Sequence, residues 1–516
     1  MDPGAHSDPD ADSGRWSSIS PRGERVVVAA LLGLFLLADL LAVFSDTRLS
    51  ATDTMINEAL ALHQLVQEDA GSLWLSQPHD KGPLPTLTVY LLYQAMGDPL
   101  WAARLLNVGL HLTLLLLVWR LVLRHSGSRA AALLALVVCG TTPAIYGWFR
   151  LAFHEPMVSV FVLLTLDRLT RPLRRPRDAV WLGLCVAGGL MSKLSFPLFV
   201  LLPGLWFLAT GVRDRRALLL LGGALATCLV AVAWWLVPSR SLIVELFFRS
   251  SQVEESTCLH KLPLYTLELS GAAALFGAGV AGGILTWLRR PALRGVVFVL
   301  LGCALGGLGL LVFVFDPWSR YVVPALPAAA VLAGLGAAVA LEPARRRALA
   351  RIAGLLLAVP LLAHFIYTNV RAPAPGEREF SSGMVSADRR PHTAYPAAVA
   401  QLRRGGHAAL PLTLIAPADL RPGVARWVWG ARGFALRALS LDAARRTLAR
   451  GEPIWLLVTH PRGPGLDLIN RALRTRRELP DQPVLDLLRG HPLLIEQTTC
   501  DPDDLCRSIA RVGVRR

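Results

Sequence analysis

Two acidic residues stand at the ends of apolar segments, where they could act on a substrate held at a membrane surface. Asp53 follows the first apolar run, with Glu58 shortly after it, and Glu155 opens another run in the sequence His154-Glu155-Pro156. A carboxylate in such a position can accept a proton from an attacking hydroxyl group. It can equally be solvated, or stabilise the positive end of a helix dipole, and the proline after Glu155 is typical of a helix start.

The lysines near these acids are unusual, because the chain has only three of them, Lys81, Lys193 and Lys261, among 53 basic residues. A compact ammonium group suits the binding of a phosphate, although the distribution can also be a coincidence. Lys81 lies in the polar segment Gln77–Pro85, which also contains His79. Lys193 stands between two apolar runs, and a charge in lipid is costly, so we expect it to face a polar cavity.

Two arginine motifs complete the set of candidate residues. Arg104 enters an apolar run in Trp101-Ala-Ala-Arg104-Leu, and the pair Arg320-Tyr321 opens a proline-rich run that continues to Pro327. A guanidinium group at the membrane face can bind a lipid-borne phosphate. The alternative is that these side chains only extend to lipid headgroups.

The composition indicates which class of protein must position these residues. Of 516 residues, 53% are hydrophobic and only 17% are charged, and the mean hydropathy is +0.46. A soluble domain normally carries about 25% charged residues, so the composition predicts a polytopic membrane protein. The formal net charge of +16 is then expected on cytoplasmic loops and does not indicate a nucleic-acid-binding protein.

The apolar runs predict about eleven transmembrane helices. The first runs from Val26 to Phe44, and residues 1–24, rich in Asp, Ser, Pro and Gly before it, are expected to be a disordered cytoplasmic N-terminus. Further runs lie at about residues 100–122, 130–147, 156–167, 179–192, 195–210, 217–237, 264–288, 295–315, 321–341 and 352–367. Five connecting segments are Arg-rich and are assigned to the cytoplasm by the positive-inside rule: Arg120–Arg129, Arg168–Arg177, Arg213–Arg216, Arg289–Arg294 and Arg345–Arg351.

Residues 45–99 then form one long external loop. Its apolar stretch Leu84–Met96 is too short to cross a bilayer, so we expect an interfacial helix there. A second stretch, Thr54–Asp69, has the pattern of an amphipathic helix, and an external loop covers Pro238–Pro263. With this topology all three lysines and both acids lie on the external side. We therefore expect the distant charges to meet in one polar pocket around a lipid headgroup.

The tail, residues 370–516, is more polar, and its apolar runs have the length of strands. Strands are predicted at Leu412–Ala416, Phe434–Leu439 and Ile454–Val458, and helices at Ala397–Arg403, Leu441–Arg450 and Leu466–Arg474. We predict an extracytoplasmic α/β domain that binds the acceptor or glycan, or lies against anionic headgroups. Cys500 and Cys506 would form a disulfide in an oxidising compartment, or remain two thiols.

Taken in order along residues 26–345, these motifs resemble those of the polyprenol-phosphate-dependent membrane glycosyltransferases of the C-type fold, which include bacterial protein mannosyltransferases and lipid A aminoarabinose transferases. The matching positions are an acid after the first span (Asp53), a Lys-Pro-Pro-Leu-like motif (Lys81–Leu84), Ala-Ala-Arg-Leu (Ala102–Leu105), a second acid (Glu155), a Leu-Thr-Lys-Gly-like motif (Met191–Leu194) and Arg-Tyr-x-x-Pro-x-x-Pro (Arg320–Pro327). The chain departs from the pattern at Thr54, where the family often has Glu, at Glu155, which is usually Asp, and at Leu194, which is usually Gly.

The resemblance implies an all-α polytopic membrane bundle at residues 25–369. It implies transfer of a sugar from a polyprenyl-phosphate donor to an acceptor hydroxyl, on the extracytoplasmic side of a bacterial inner membrane and with inversion at the anomeric carbon. Asp53 would be the general base and Glu155 a second catalytic acid, and the acceptor would be a lipid, glycan or protein. The residues implied in substrate binding are Lys81, Arg104, Lys193, Arg320, Tyr321, His79 and Glu58. No cofactor is required. A divalent metal is possible but not favoured, since no tight motif such as HExxH joins the possible ligands, which are His79, Asp80, His154, Glu155, Cys258 and His260.

A transporter or flippase for a lipid-linked sugar or polysaccharide would share the intramembrane charges and the Pro/Gly-broken helices. A ligase or polymerase with a lipid-linked donor is a third interpretation. The long external loop with both acid and lysine, and the lack of an inverted repeat, favour an enzyme. A G-x-G-x-x-G pattern at Gly277–Gly282 lies inside an apolar run with no strand before it, which favours helix packing over dinucleotide binding.

Overall fold

The computed structural model describes residues 21–45, 54–67, 82–211, 215–252, 272–309, 319–341, 412–415, 436–437, 441–450, 452–461, 487, 493–500 and 505–512. The predictions of a disordered start, of a span at 352–367 and of helices at Ala397–Arg403 and Leu466–Arg474 lie outside these residues. The chain divides into two compact units: the first comprises Met1–Ser45, Leu75–Thr88 and Arg104–Val385, and the second comprises Asp46–Trp74, Val89–Ala103 and Ser386–Arg516.

Helices make up nearly all of the described chain before residue 342. They are α1 (Pro21–Ser45), α2 (Thr54–Gln67), α3 (Pro83–Met96), α4 (Pro99–Ser126), α5 (Arg129–Thr141), α6 (Pro143–Phe149), α7 (Glu155–Leu169), α8 (Pro176–Ser192), α9 (Phe196–Gly211), α10 (Arg215–Gln252), α11 (Ala272–Arg289), α12 (Arg294–Leu301) and α13 (Leu326–Leu341). A π-helical turn, Gly302–Gly306, continues α12, and short 3-10 helices cover Pro291–Leu293 and Ser319–Ala325. The predicted interfacial and amphipathic stretches are both helical, as α3 and α2.

Several helices have the length and surface of membrane spans. Among the described residues, five are long and apolar enough to cross a bilayer, and a sixth is obtained if α5 and α6, which meet at a bend of 61°, count as one broken span. Large apolar side chains on α10 are open to the surroundings, with Leu219 70% and Val230 79% exposed. An apolar surface of this kind is typical of contact with lipid. The total of eleven spans stays a prediction.

Helix α10 corrects one predicted boundary. The external loop was expected to begin at Pro238, but the helix continues through this proline to Gln252. A proline inside a helix removes one backbone hydrogen bond without ending the helix when the following residues favour helical packing. Here the apolar residues Leu242, Ile243 and Val244 follow Pro238 closely and extend the helical pattern.

Helices α7 and α8 form the antiparallel hairpin that matters most for the site. Helix α7 starts at Glu155 and ends beside Arg168, and α8 starts after the Arg-rich turn and ends at Ser192. The first residue of α7 and the last residue of α8 therefore lie at one end of the hairpin, and the arginines lie at the other. Helix α9 packs against α7, and α10 packs along α8.

Glycines allow α11 and α13 to touch through their backbones. A Cβ atom added at Gly279 would lie 2.7 Å from the carbonyl oxygen of Ala329, and one added at Gly282 would lie 2.5 Å from that of Leu332. From the opposite helix, a Cβ at Gly336 would lie 2.2 Å from the Cα of Gly282. Gly279 and Gly282 of the G-x-G-x-x-G pattern therefore serve helix packing, as predicted, because only glycine permits so close an approach.

The described part of the tail contains a five-stranded mixed sheet. Its strands are β1 (Leu412–Ile415), β2 (Leu436–Arg437), β3 (Ile454–Pro461), β4 (Leu493–Cys500) and β5 (Leu505–Val512), in the order β2-β1-β3-β5-β4. The first three are parallel, β5 is antiparallel to β3 and β4, and a helix, α14 (Leu441–Ala449), precedes β3. Strands β4 and β5 were not predicted, because Glu496, Gln497 and Arg507 interrupt their apolar pattern.

The backbone register of this sheet bears on the two tail cysteines. Cys500, at the end of β4, lies directly opposite Cys506 near the start of β5. Their side chains lie outside the described residues, and the disulfide stays a prediction. The extent of the domain, residues 370–516, and its extracytoplasmic position also stay predictions.

Candidate functional site

Glu155 and Lys193 form an ion pair at one end of the α7–α8 hairpin. The Lys193 Nζ donates to Glu155 Oε1 over 2.5 Å, and the two side chains are 17% and 2% exposed. Charges so close and so buried interact strongly, because little water is present to screen them. The sequence singled out both residues, and the structure brings them together although they are 38 positions apart.

Local structure explains why the two charges meet. Pro156 occupies the first turn of α7, where a missing N–H costs nothing, so the helix begins at Glu155. At the other side α8 ends as Lys193 adopts an extended conformation, with its N–H bonded to the Gly189 carbonyl oxygen at 3.1 Å. Glu155, at the start of α7, and Lys193, directly after α8, therefore lie at the same end of the hairpin. The carboxylate of Glu155 is therefore buried and paired, and the alternative of a solvated acid is wrong.

Gly82 links the motif of Lys81 to that of Lys193. A Cβ added at Gly82 would lie 1.9 Å from the carbonyl oxygen of Met191 and 2.7 Å from the N of Ser192. The backbone directly after Lys81 therefore touches the backbone of the two residues that precede Lys193. This contact explains why glycine stands where the resembling motif has proline, since a larger residue would collide with α8. Lys81 itself lies outside the described residues.

Arg104 lies on α4 and is 1% exposed. A side chain so deeply buried does not extend to lipid headgroups, so that alternative is wrong for Arg104. Asn107 and His111 follow it at spacings of three and four residues and are both fully buried. This spacing puts the three polar side chains on one face of α4. The helix thus carries a polar stripe inside an apolar span.

The remaining predicted residues are described only in part. Arg320 and Tyr321 belong to the 3-10 helix Ser319–Ala325, whose backbone packs against α7, while their side chains lie outside the described residues. Glu58 lies in α2, in the second unit, and is half-buried. Asp53 and His79 fall outside the described residues, so the roles assigned to them stay predictions.

A buried trio of charged and polar residues was not predicted as a group. Asp39, from α1, accepts from Arg150 Nε at 2.8 Å and contacts His111 Nδ1 at 2.6 Å. Asn107 donates to the carbonyl oxygens of Leu151 and Phe153. Asp39 stands within the first apolar run of the sequence and is 1% exposed. The sequence signal for its partners was the polar stripe of α4, which a search for acids and lysines overlooks.

Metal binding finds no support in the described ranges. Within them, no three His, Cys, Asp or Glu residues come close enough to hold a metal ion. Two of the sequence candidates, His154 and Glu155, are neighbours in the chain and both buried. The others considered, His79, Asp80, Cys258 and His260, lie outside those ranges.

Comparison with known proteins gives both a family model and similar structures. The model for dolichyl-phosphate-mannose-protein mannosyltransferases matches residues 80–236, which include Lys81, Arg104, Glu155 and Lys193. A comparison with curated protein sequences found no match. The crystal structure of ArnT from Cupriavidus metallidurans in the apo state is 15% identical, with a TM-score of 0.61 over 95% of this chain and 98% of that one.

Two further structures share the fold. ArnT from the same organism bound to undecaprenyl phosphate is 16% identical, with a TM-score of 0.60 over the same shares of both chains. The arabinofuranosyltransferase AftD from Mycobacteria is 17% identical, with a TM-score of 0.53 over 97% of this chain and 40% of that one. The resemblance drawn from the sequence motifs is therefore confirmed: the chain has the fold of the polyprenol-phosphate-dependent membrane glycosyltransferases of the C-type fold.

Proposed function

We propose that this protein is a membrane glycosyltransferase that moves a sugar from a polyprenyl-phosphate donor to an acceptor hydroxyl group. The observation that carries the proposal is the buried pair of Glu155 and Lys193, which lies in the region matched by the mannosyltransferase model. A buried ion pair is a poor stabilising device compared with apolar packing. The presence of such a pair in an apolar bundle is better explained by a role in binding a charged substrate.

The reaction needs one proton acceptor and several positive charges. The acceptor oxygen attacks the anomeric carbon as its proton passes to Asp53, and the bond from this carbon to the phosphate oxygen breaks. The electron pair stays on the phosphate, so the products are the glycosylated acceptor and a polyprenyl phosphate. Direct displacement of this kind inverts the anomeric configuration. No nucleotide takes part, because the sugar is already activated on its lipid.

Positive side chains stabilise the charge that grows on the leaving phosphate. Lys193 is the best supported of them, because Glu155 holds its ammonium group in a defined position at the end of α8. Glu155 thus acts in this proposal by orienting Lys193. Arg104, Lys81 and Arg320 are assigned the same phosphate-binding role, and Tyr321, His79 and Glu58 are assigned contacts with the sugar or the acceptor.

The proposed orientation follows from the two ends of the α7–α8 hairpin. Its Arg-rich turn is assigned to the cytoplasm by the positive-inside rule, which assigns Glu155 and Lys193 to the extracytoplasmic side. The host membrane would be the bacterial inner membrane, with a cytoplasmic N-terminus. The tail would lie on the extracytoplasmic side of this membrane, where it can bind an acceptor that is a lipid, a glycan or a protein.

The test uses the purified full-length chain in liposomes with a radiolabelled polyprenyl-phosphate sugar. Transfer of label to an acceptor, or its release as free sugar by hydrolysis, is the expected result. Movement of the intact sugar-lipid across the bilayer without bond cleavage would instead identify a flippase and overturn the proposal. Asp53→Asn should abolish transfer, and a normal rate in this variant would remove the general-base assignment.

A further inference from the structure

The chain between α6 and α7, residues 150–154, is irregular and leads directly into Glu155. Every residue of this segment is buried. Irregular backbone inside an apolar bundle must find partners for its N–H and C=O groups, because each one left without a partner is costly. The partners it uses therefore decide its conformation, and with it the starting point of α7.

One fixed point comes from α4. The amide of Asn107 donates to the carbonyl oxygens of Leu151 and Phe153, the latter over 3.3 Å. Both neighbours are acceptors, so the side chain must present its NH₂ group to them. A single side chain thus bridges two carbonyls on either side of Ala152 and fixes the turn between them.

A second fixed point comes from α1. Arg150 begins the segment and donates its Nε–H to Asp39 Oδ1 at 2.8 Å, while its guanidinium also lies 4.8 Å from the centre of the Tyr146 ring. The other oxygen of Asp39 contacts His111 Nδ1 at 2.6 Å. The ring of His111 is itself packed near Phe149, with centroids 5.2 Å apart. Asp39 is therefore held from two sides and cannot follow Arg150 if the segment moves.

We infer that Asn107 and Asp39 are positioning residues for the pair Glu155–Lys193. Asn107 and Asp39 fix both ends of the segment that precedes α7. Because Glu155 lies in the first turn of α7, the position of this segment determines the distance between the Glu155 carboxylate and Lys193. The effect of Asn107 and Asp39 on the ion pair depends only on this geometry. The effect of the two residues on sugar transfer rests on the proposed function.

Chemical labelling of Lys193 tests the inference without requiring transfer activity. The whole chain has only three lysines, so mass spectrometry can follow an amine-reactive reagent at each of them, with Lys261 as internal reference. An ammonium group held in a hydrogen bond by a carboxylate must leave that contact before its nitrogen can attack a reagent, so it reacts slowly. In Glu155→Gln, the positive control, Lys193 should therefore react several-fold faster than in the wild type.

Asn107→Leu removes the two hydrogen bonds and keeps the size of the side chain. Lys193 should react several-fold faster in this variant, with the rate at Lys261 unchanged. The matched control is Thr141→Val, because Thr141 is also fully buried and donates to a backbone carbonyl, but within its own helix at 2.7 Å. This control should label like the wild type. An Asn107→Leu protein that also labels like the wild type would overturn the inference.

Asp39→Asn keeps the shape of the side chain and serves if Asn107→Leu does not fold. It should raise the rate at Lys193 as well, since Arg150 loses its charged partner, and a wild-type rate would overturn the role of Asp39. In transfer assays both variants should lower kcat more than they raise KM. If the wild type transfers no sugar, the proposed function fails, while the labelling result still decides this inference.

Discussion

The two ends of the α7–α8 hairpin carry charged residues in different surroundings. At the end with Glu155 and Lys193, the acid pairs with the lysine and is almost fully buried. At the Arg-rich end, Asp167 accepts from both Arg124 and Arg171, and their side chains are between 12% and 28% exposed. The acid at the second end thus has two arginine partners and is more exposed, so each of its contacts is more easily replaced.

This contrast shows that the number of charges is a poor guide to their importance. Water screens partly exposed pairs, and a neighbouring arginine can take over when one partner is removed. A buried pair has neither substitute, so removal of one partner leaves a charge in an apolar surrounding. We therefore expect substitutions at the two ends to differ strongly in effect, and the following experiments order them from largest to smallest.

The largest effect is expected from Lys193→Met, because it removes the ammonium group that pairs with the buried Glu155 carboxylate. Loss of one member of a buried pair typically costs about 3–5 kcal/mol in stability. Loss of the positive charge that stabilises the leaving phosphate lowers transfer by about 100-fold or more. Thermal unfolding in detergent and the liposome assay measure the two effects. The double variant Lys193→Met/Glu155→Gln should recover much of the stability but none of the activity. Transfer within twofold of the wild type would contradict the role of Lys193.

Gly82→Ala should have the next largest effect, since its Cβ would lie 1.9 Å from the Met191 carbonyl oxygen. The backbone before Lys193 must then move, at a cost of about 1–3 kcal/mol, and transfer should fall with it. Gly109→Ala is the matched control, because nothing lies within 4 Å of a Cβ there and alanine favours the helix. Equal unfolding temperatures for the two variants would show that the contact at Gly82 is not tight.

A smaller effect is expected from Asp167→Asn at the Arg-rich end. The amide still accepts a hydrogen bond from Arg124 or Arg171, and the charges left behind are partly solvated. We expect a loss of about 1 kcal/mol and nearly unchanged transfer. Unfolding and initial-rate measurements beside Lys193→Met make the comparison direct. A loss of transfer as large as that of Lys193→Met would remove the distinction between the two ends.

The smallest effect is expected from Asp178→Asn, at the exposed start of α8. Burial raises the pKa of Asp178, but hydrogen bonds from the backbone N–H groups of Arg174 and Arg175 and the charges of Arg168 and Arg177 lower it more, so the net shift is downward. The stabilisation is therefore present above the ordinary pKa of an aspartate and is lost as the pH falls through the lowered value. The variant should lack this acid-side loss, which unfolding curves from neutral to acid pH would detect.

The helices could be predicted from the sequence because apolar periodicity and arginine spacing depend on short stretches of chain. The boundary of α10 could not, because Pro238 looks like a stop signal and tertiary packing overrides it. Strands β4 and β5 were missed for a related reason, since a polar residue in a strand is tolerated once its neighbours pair.

Within the candidate site, the sequence singled out Glu155 and Lys193 but not the residues that support them. Glu155 and Lys193 stand out because charges at the ends of apolar runs are rare. Asn107 does not stand out, because an amide in an apolar helix has many structural uses, and only the fold reveals that it bridges the carbonyls of Leu151 and Phe153. Residues that act through backbone groups leave little trace in sequence.

The seam between α11 and α13 has a consequence for how the protein can move during turnover. Helices that touch backbone to backbone, as at Gly282 and Gly336, can neither slide nor rotate past each other without a steric collision. In an alternating-access cycle, in which helices rock between two arrangements, α11 and α13 would have to move together as one rigid body. Cysteine cross-links across the seam would therefore leave turnover intact, and they offer a fixed reference against which motions of other helices can be measured.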